Sequence, residues 1–190
     1  MTHRSGWLAD VVVICTAVVV IVLDQLTKHL ITQYFDSGTS HQPIRLVGSV
    51  LQLQYVENTG VAFSLFEGQG ILFILIGIAL VAIAALYWRM RATASRFLAL
   101  TFGLVLGGAA GNLVDRFSHA YVVDFIHFQI PGVFDWPVFN VADSAISVGV
   151  VLLAFMLWTY GGKDTHTVEQ SSVSDAVSAP ATRESGVHRQ

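Results

Sequence analysis

The sequence predicts an all-α membrane protein: a bundle of four transmembrane helices with a small extracytoplasmic β-sheet and an interfacial loop or helix. Three observations carry that expectation. Of the 190 residues, 54% are hydrophobic and only 12% charged, whereas about 25% are charged in a typical soluble domain. The apolar residues gather in four stretches, each long enough to cross about 30 Å of hydrocarbon as a helix. Between these stretches lie turn signals and a clear alternation of apolar with polar residues.

The first span is expected at about residues 10–31. Val11 to Leu23 is strongly apolar, while Asp24 and Lys28 interrupt its far end. Arg4 ahead of this run invites comparison with a signal peptide, but no small-x-small cleavage site follows, so a retained span is expected. The other spans are placed at about 69–88, 97–114 and 141–160, because Gly68 to Trp88, Phe97 to Val114 and Ser144 to Gly162 are free of charge. Residues 1–162 are therefore read as one membrane domain. From Lys163 to Gln190 the composition shifts to Ser, Thr, Ala, Val and scattered charges with no apolar face, which predicts a disordered cytoplasmic tail over 163–190.

Arg89, Arg91 and Arg96 crowd the turn between the second and third spans, with Arg4 and Lys163 on the same side. The positive-inside rule then places both termini in the cytoplasm and the two longer loops outside. Trp7, Trp88, Trp136 and Trp158 fall near the expected interfaces, where amphipathic rings settle. In the first outer loop Leu51 to Val56 alternates apolar with polar as a half-buried strand does, and Tyr121 to Phe128 is rich in β-branched and aromatic residues before the Pro131-Gly132 turn. These two segments predict the sheet. A net charge of −3 without a basic face sets nucleic-acid binding aside. A single cysteine, Cys15, excludes an intrachain disulfide and is expected to pack as a small hydrophobe. The halves show no inverted duplication of the kind found in transporters.

Two aspartates stand at the edge of the apolar stretches, and desolvating them is costly. Asp124 lies within Val122-Val123-Asp124-Phe125-Ile126 and needs a donor, a cation or another carboxyl. Asp143 lies three residues after Asn140, so the plain account of it is a first-turn carboxylate in a capping pair, favoured by the helix dipole. Brought together, the two carboxyls share one proton, which supplies a base to activate water and an acid to protonate a leaving amine. That is direct, non-covalent peptide hydrolysis.

Gly108, Asn112 and Arg116 recur every four residues on one helical face, beside a ridge of Gly103, Gly107 and Gly111 suited to close helix packing. Asn112 can hold a peptide or carboxyl, and Arg116 can meet a lipid phosphate or pair with Asp115 or Asp124. Asp24 and Lys28, four apart in the acid-first order, read as a structural salt bridge. Asn58 to Gly60 reads as a turn whose Asn58 can also meet a substrate backbone, with Phe63, Leu65 and Phe66 supplying an interfacial apolar surface. Asp124 and His127 have a metal-like spacing but face opposite sides of a strand, and no His or Cys cluster completes a site. A Ser/Lys pair using Ser64 or Ser144 with Lys28 has nothing local to bring it together. The rival from another class is a small proton-coupled transporter or channel with Asp24, Asp124 and Asp143 as a relay, although the centres of the last three spans lack charge.

Taken together, Asp24-Gln25-Leu26-Thr27-Lys28, Asn58 to Ser64, Gly107 to Arg116, Val123-Asp124-Phe125 and Phe139 to Ser144 resemble, in order, the conserved boxes of the lipoprotein signal peptidases, the type II signal peptidases of bacteria. The resemblance covers about Trp7 to Tyr160. It implies a multi-pass aspartyl endopeptidase of the bacterial inner membrane that cleaves diacylglyceryl-modified prolipoproteins just before the lipid-bearing cysteine. Asp124 and Asp143 match its catalytic dyad. Asn58, Gly60, Asn112, Arg116 and Asn140 match residues of its substrate site, and Asp24 with Lys28 matches a conserved polar pair. The resemblance implies no metal and no organic cofactor; the expected partners are prolipoproteins and membrane lipids, and a monomer is expected. The scissile bond of a lipid-anchored substrate lies at the membrane surface, the depth at which the topology places both aspartates. Val12-Val13-Ile14-Cys15 is a poor lipobox, so the chain resembles the enzyme and not its substrate.

Overall fold

A computed structural model of the chain describes residues 3–36, 42–60, 69–91, 95–156 and 158. The expected tail over 163–190 and the apolar segment with Phe63, Leu65 and Phe66 lie outside them. The chain divides into two units, Met1–Leu153 and Ala154–Gln190; the first holds the sheet, the helices as far as Leu153 and both candidate aspartates.

Helix α1 runs over His3–Asp36 and leads into strands β1 (Ile44–Val47) and β2 (Leu51–Asn58). Helices α2 (Gln69–Met90) and α3 (Arg96–His119) follow, then strands β3 (Val122–Ile130) and β4 (Phe134–Asp135), and helix α4 (Val141–Met156). Among the described residues, two stretches are long and apolar enough to cross a membrane, Gly6–Phe35 and Arg96–His119; those of Leu75–Met90 and Val141–Met156 are shorter. On α1, Ile14, Val18, Val22, Leu26 and Leu30 recur every four residues and are 51–61% exposed. An apolar stripe of that length, left uncovered by the described residues, is what a lipid-facing helix presents. Cys15 is exposed too, which corrects the expectation that it packs inside. It lies beside Ile14 on that exposed apolar stripe, which the described residues leave uncovered.

The four strands form one antiparallel sheet in the order β1-β2-β3-β4. Strands β2 and β3 were legible from their composition; β1 and β4, of four and two residues, were not. Within the β2–β3 ladder Val56 opposes Asp124 and Asn58 opposes Val122. The sheet is fastened to the helices by a core of Ile31, Phe35 and Phe125, with Ile44, Leu53, Tyr55, Ile126 and Val141 packed against it.

Two local devices place β3 and α4 against α3. Helix α3 ends at Ala120, whose left-handed φ of 67° and N–H bond to the Arg116 carbonyl turn the chain into β3. Phe139 then pairs with Ile126 through bonds of 2.8 and 3.0 Å, which brings the next residue, Asn140, beside Asp124. The glycines of α3 serve two neighbours. The Gly103, Gly107 and Gly111 ridge lies against α1, and a Cβ at Gly111 would stand 2.7 Å from Asp24 Oδ2. Gly108, on the adjacent face, lies so close to the Ala142 carbonyl that a Cβ would collide with it.

Candidate active site

Asn140 is the junction of the site. As the N-cap of α4 it accepts the Asp143 N–H on Oδ1 at 2.9 Å, while Asp143 Oδ2 accepts the Asn140 N–H at 3.3 Å. This is the reciprocal capping pair expected from the spacing. The Asn140 side chain has a second half, however: Nδ2 donates to Asp124 Oδ1 at 2.6 Å, to the Val123 carbonyl at 3.3 Å and to Asn112 Oδ1 at 3.1 Å. One residue thus bonds both aspartates, which are 19 positions apart in the chain.

The remaining oxygens are held from two further elements. Asn112 on α3 donates from Nδ2 to Asp143 Oδ1 at 2.7 Å. Asn58 at the end of β2 donates from Nδ2 to Asp124 Oδ2 at 2.9 Å, and its own Oδ1 accepts the Gly60 N–H at 2.9 Å. Gly60 has φ 76°, a conformation that favours glycine, so its place in the site is that of a turn that orients Asn58. Arg116 donates to the Asn112 carbonyl at 3.3 Å, and its half-buried guanidinium interacts electrostatically with Asp143, Asp124 and Asp115.

The two carboxyls differ in access. Asp124 is 2% exposed, and Asp143 is half-buried. Burial pushes Asp124 up to about 6, the charge of Asp143 adds to the rise, and the bonds from Asn58 and Asn140 hold it down. Among the described residues no buried side-chain nitrogen or oxygen lacks a partner. The site is therefore ordered in advance of any substrate.

Beneath it lies a second set of charges. Lys28 Nζ is 2.7 Å from Asp24 Oδ2, 2.8 Å from Asp115 Oδ2 and 3.0 Å from Asn112 Oδ1. The expected Asp24/Lys28 pair is thus part of a larger unit that sequence reasoning missed. Asp115 belongs to Lys28 rather than to Arg116, and Gln25 joins it at 2.7 Å. The signal was present: the row Gly103, Gly107, Gly111 reaches Asp115 four residues on, on the ridge that faces α1. His127, weighed as a metal ligand, instead meets Asp135 across β3 and β4 at 2.6 Å. A separate cleft of about 530 Å³ is lined by Thr32, Phe35, Gln54, Tyr55, Glu57 and Tyr121, and by neither aspartate. There, burial and the bonds to Tyr121 and Glu57 push the Tyr55 hydroxyl up.

Apolar helices that end in a paired-carboxyl site describe a membrane enzyme of acid–base type. The family described as signal peptidase (SPase) II matches residues 16–159, and the chain belongs to that family. It is 44% identical over 137 residues to a lipoprotein signal peptidase of Geobacillus kaustophilus, covering 72% of this chain and 86% of that protein. With the lipoprotein signal peptidase of Halothermothrix orenii it shares 39% over 140 residues, 74% of this chain and 90% of the other. The fold is similar to that of a bacterial membrane enzyme solved by the in meso method at 1.9 Å, with TM-score 0.64 and 30% identity over 76% of this chain and 91% of that one. Family membership decides between the enzyme and the transporter in favour of the enzyme.

Proposed function

We propose that the chain removes signal peptides from diacylglyceryl-modified prolipoproteins, cleaving just before the lipidated cysteine, with Asp124 and Asp143 as its catalytic dyad. The observation that carries this reading is the double bonding of Asn140, which ties a buried and a half-buried carboxyl into one unit. Asp124, raised to about 6, keeps its proton to higher pH than an ordinary carboxyl, so the pair can offer one protonated and one ionised member. Its ionised member takes a proton from water as the water oxygen bonds to the scissile carbonyl carbon. Its protonated member supports the developing oxyanion. Collapse of the tetrahedral adduct breaks the C–N bond, and the proton passes to the leaving amine. Asn58 and Asn112 are each bonded to one aspartate, and in this reading they orient the substrate backbone beside it.

The same reading completes the topology: α2 and α4 cross the membrane beside α1 and α3, with both termini cytoplasmic. Asp10 and Lys28 are 18 positions apart on α1, about 27 Å along the axis, close to the thickness of the hydrocarbon. Arg91 binds Asp10 at one end, and the aspartate pair lies at the other, where a lipid-anchored scissile bond meets the surface. The test is cleavage of a prolipoprotein before and after diacylglyceryl modification, beside the Asp124→Asn protein, with the bond identified by mass spectrometry. Cleavage confined to the modified substrate and absent in the variant is expected; a fully active Asp124→Asn protein excludes the dyad.

A further inference from the structure

Asp24, Lys28 and Asp115 are 0, 3 and 3% exposed. Three buried charges are a costly way to hold helices together, since apolar residues of similar volume often do as well or better. What the two carboxylates bind beyond Lys28 gives them a task. Asp24 Oδ1 accepts the N–H of Ala142 at 3.0 Å, and Asp115 Oδ2 accepts the N–H of Val123 at 3.2 Å. Ala142 immediately precedes Asp143, and Val123 immediately precedes Asp124.

We propose that Asp24, Lys28 and Asp115 form a positioning unit for hydrolysis, in which each buried carboxylate grips the backbone amide before one aspartate and Lys28 ties the two grips together. This rests on the reading of Asp124 and Asp143 as the dyad. Successive Cα atoms are about 3.8 Å apart, so fixing an amide fixes the origin of the next side chain closely. Lys28 acts on a third point, since its bond to Asn112 Oδ1 leaves Nδ2 to face Asp143. Neither aspartate can then move without disturbing the other's anchor. Misplacement by about 1 Å is enough to cost on the order of a hundredfold in rate, so an inflexible frame beneath the pair has catalytic value.

The experiment compares Asp115→Leu with Asp115→Asn, and Asp24→Leu with Asp24→Asn, in the full-length protein acting on a diacylglyceryl-modified prolipoprotein. The leucine variants lose the grip, whereas asparagine keeps an acceptor oxygen for the amide. The leucine variants are expected to lower kcat about 30-fold or more with KM within about threefold, and the asparagine variants to restore most of kcat. Amide exchange should quicken at Val123 in Asp115→Leu and at Ala142 in Asp24→Leu. Leucine variants that fold and turn over normally overturn the inference, and so do asparagine and leucine variants that lose activity equally. Should the leucine variants fail to insert, Lys28→Gln serves: faster exchange at both amides with lower kcat supports the unit, and unchanged exchange and kcat overturn it. Asp143→Asn is run in parallel. If it is active, the dyad falls and the inference with it; if it is inactive beside normal leucine variants, only the inference falls.

Discussion

Helix α1 carries an aspartate and a cationic partner near each end, and the two pairs are built differently. Near one end Arg91 makes a two-pronged bond to Asp10, with contacts of 3.0 and 2.6 Å to Oδ2 and a Tyr87 hydroxyl at 2.6 Å, yet the two charged side chains remain 35% and 28% exposed. Near the other, Asp24 and Lys28 are 0% and 4% exposed at the side chain. The chemistry is nearly the same and the surroundings are not. An ion pair in contact with solvent can break and be rehydrated; a buried one cannot lose a partner without stranding a charge. The buried end is also where backbone amides, asparagines and the aspartate pair converge, so with Asp124 and Asp143 as the proposed dyad, disorder there reaches the chemistry.

The contrast is sharpest at the aspartates themselves. Asp143→Asn and Asp124→Asn are each expected to lower kcat by about a thousandfold or more while the protein remains inserted, because the change is nearly isosteric. Turnover with the modified prolipoprotein, beside a melting curve, checks this. A variant that melts like the wild type and still cleaves at a tenth of its rate would detach the site end from catalysis.

Stability separates the ends next. Lys28→Met leaves Asp24 and Asp115 buried together without their cation, and the expected cost is about 3–5 kcal/mol. Thermal unfolding in lipid or detergent measures it. If the loss were no larger than that of an exposed pair, water would have to reach this network, and the contrast between the two ends would collapse.

How far these differences were legible in the sequence depends on range. Apolar runs and the alternation of Leu51 to Val56 are local, so the helices and the strands β2 and β3 could be foreseen. Asp124 stood out because its four neighbours are apolar, and the Asn140/Asp143 spacing is a helix-start signal in itself. The Asp10–Arg91 pair spans 81 positions and has no local trace. Strands of four and two residues are too short to show a period. Asp115 was hidden by its neighbour Arg116, which offered a nearby partner, although the glycine row pointed to α1 and hence to Lys28. The double use of Asn140 required the Phe139–Ile126 pairing, a tertiary contact that no spacing announces.

Solution pH distinguishes the two ends as well. Asp124 has an ordinary value of 3.8 and is raised to about 6 in the folded protein. The folded state therefore binds this proton more tightly than the unfolded chain. The stability it contributes is fully present below about 3.8 and is lost as pH rises through about 6, by roughly 3 kcal/mol at most. Melting temperature should fall between about pH 4 and pH 7, and Asp124→Asn should flatten that fall even though Asn58 and Asn140, both donors to this residue, are then imperfectly matched. An unchanged slope in the variant would assign the pH dependence to other groups.

The smallest effect belongs to the opposite end. Arg91→Met removes the guanidinium from Asp10 and from the ring of Trp88, 4.7 Å away. Asp10 keeps its bond from Tyr87 and can rehydrate, so the expected cost is about 1 kcal/mol or less, with kcat and KM unchanged. Because this pair lies about 27 Å along α1 from Lys28, it cannot touch the aspartates directly, and the two losses should add when Arg91→Met is combined with a mild site-end variant such as Asp115→Asn. Non-additive melting shifts would mean that α1 transmits strain along its length, and the two ends would then have to be treated as one structural unit.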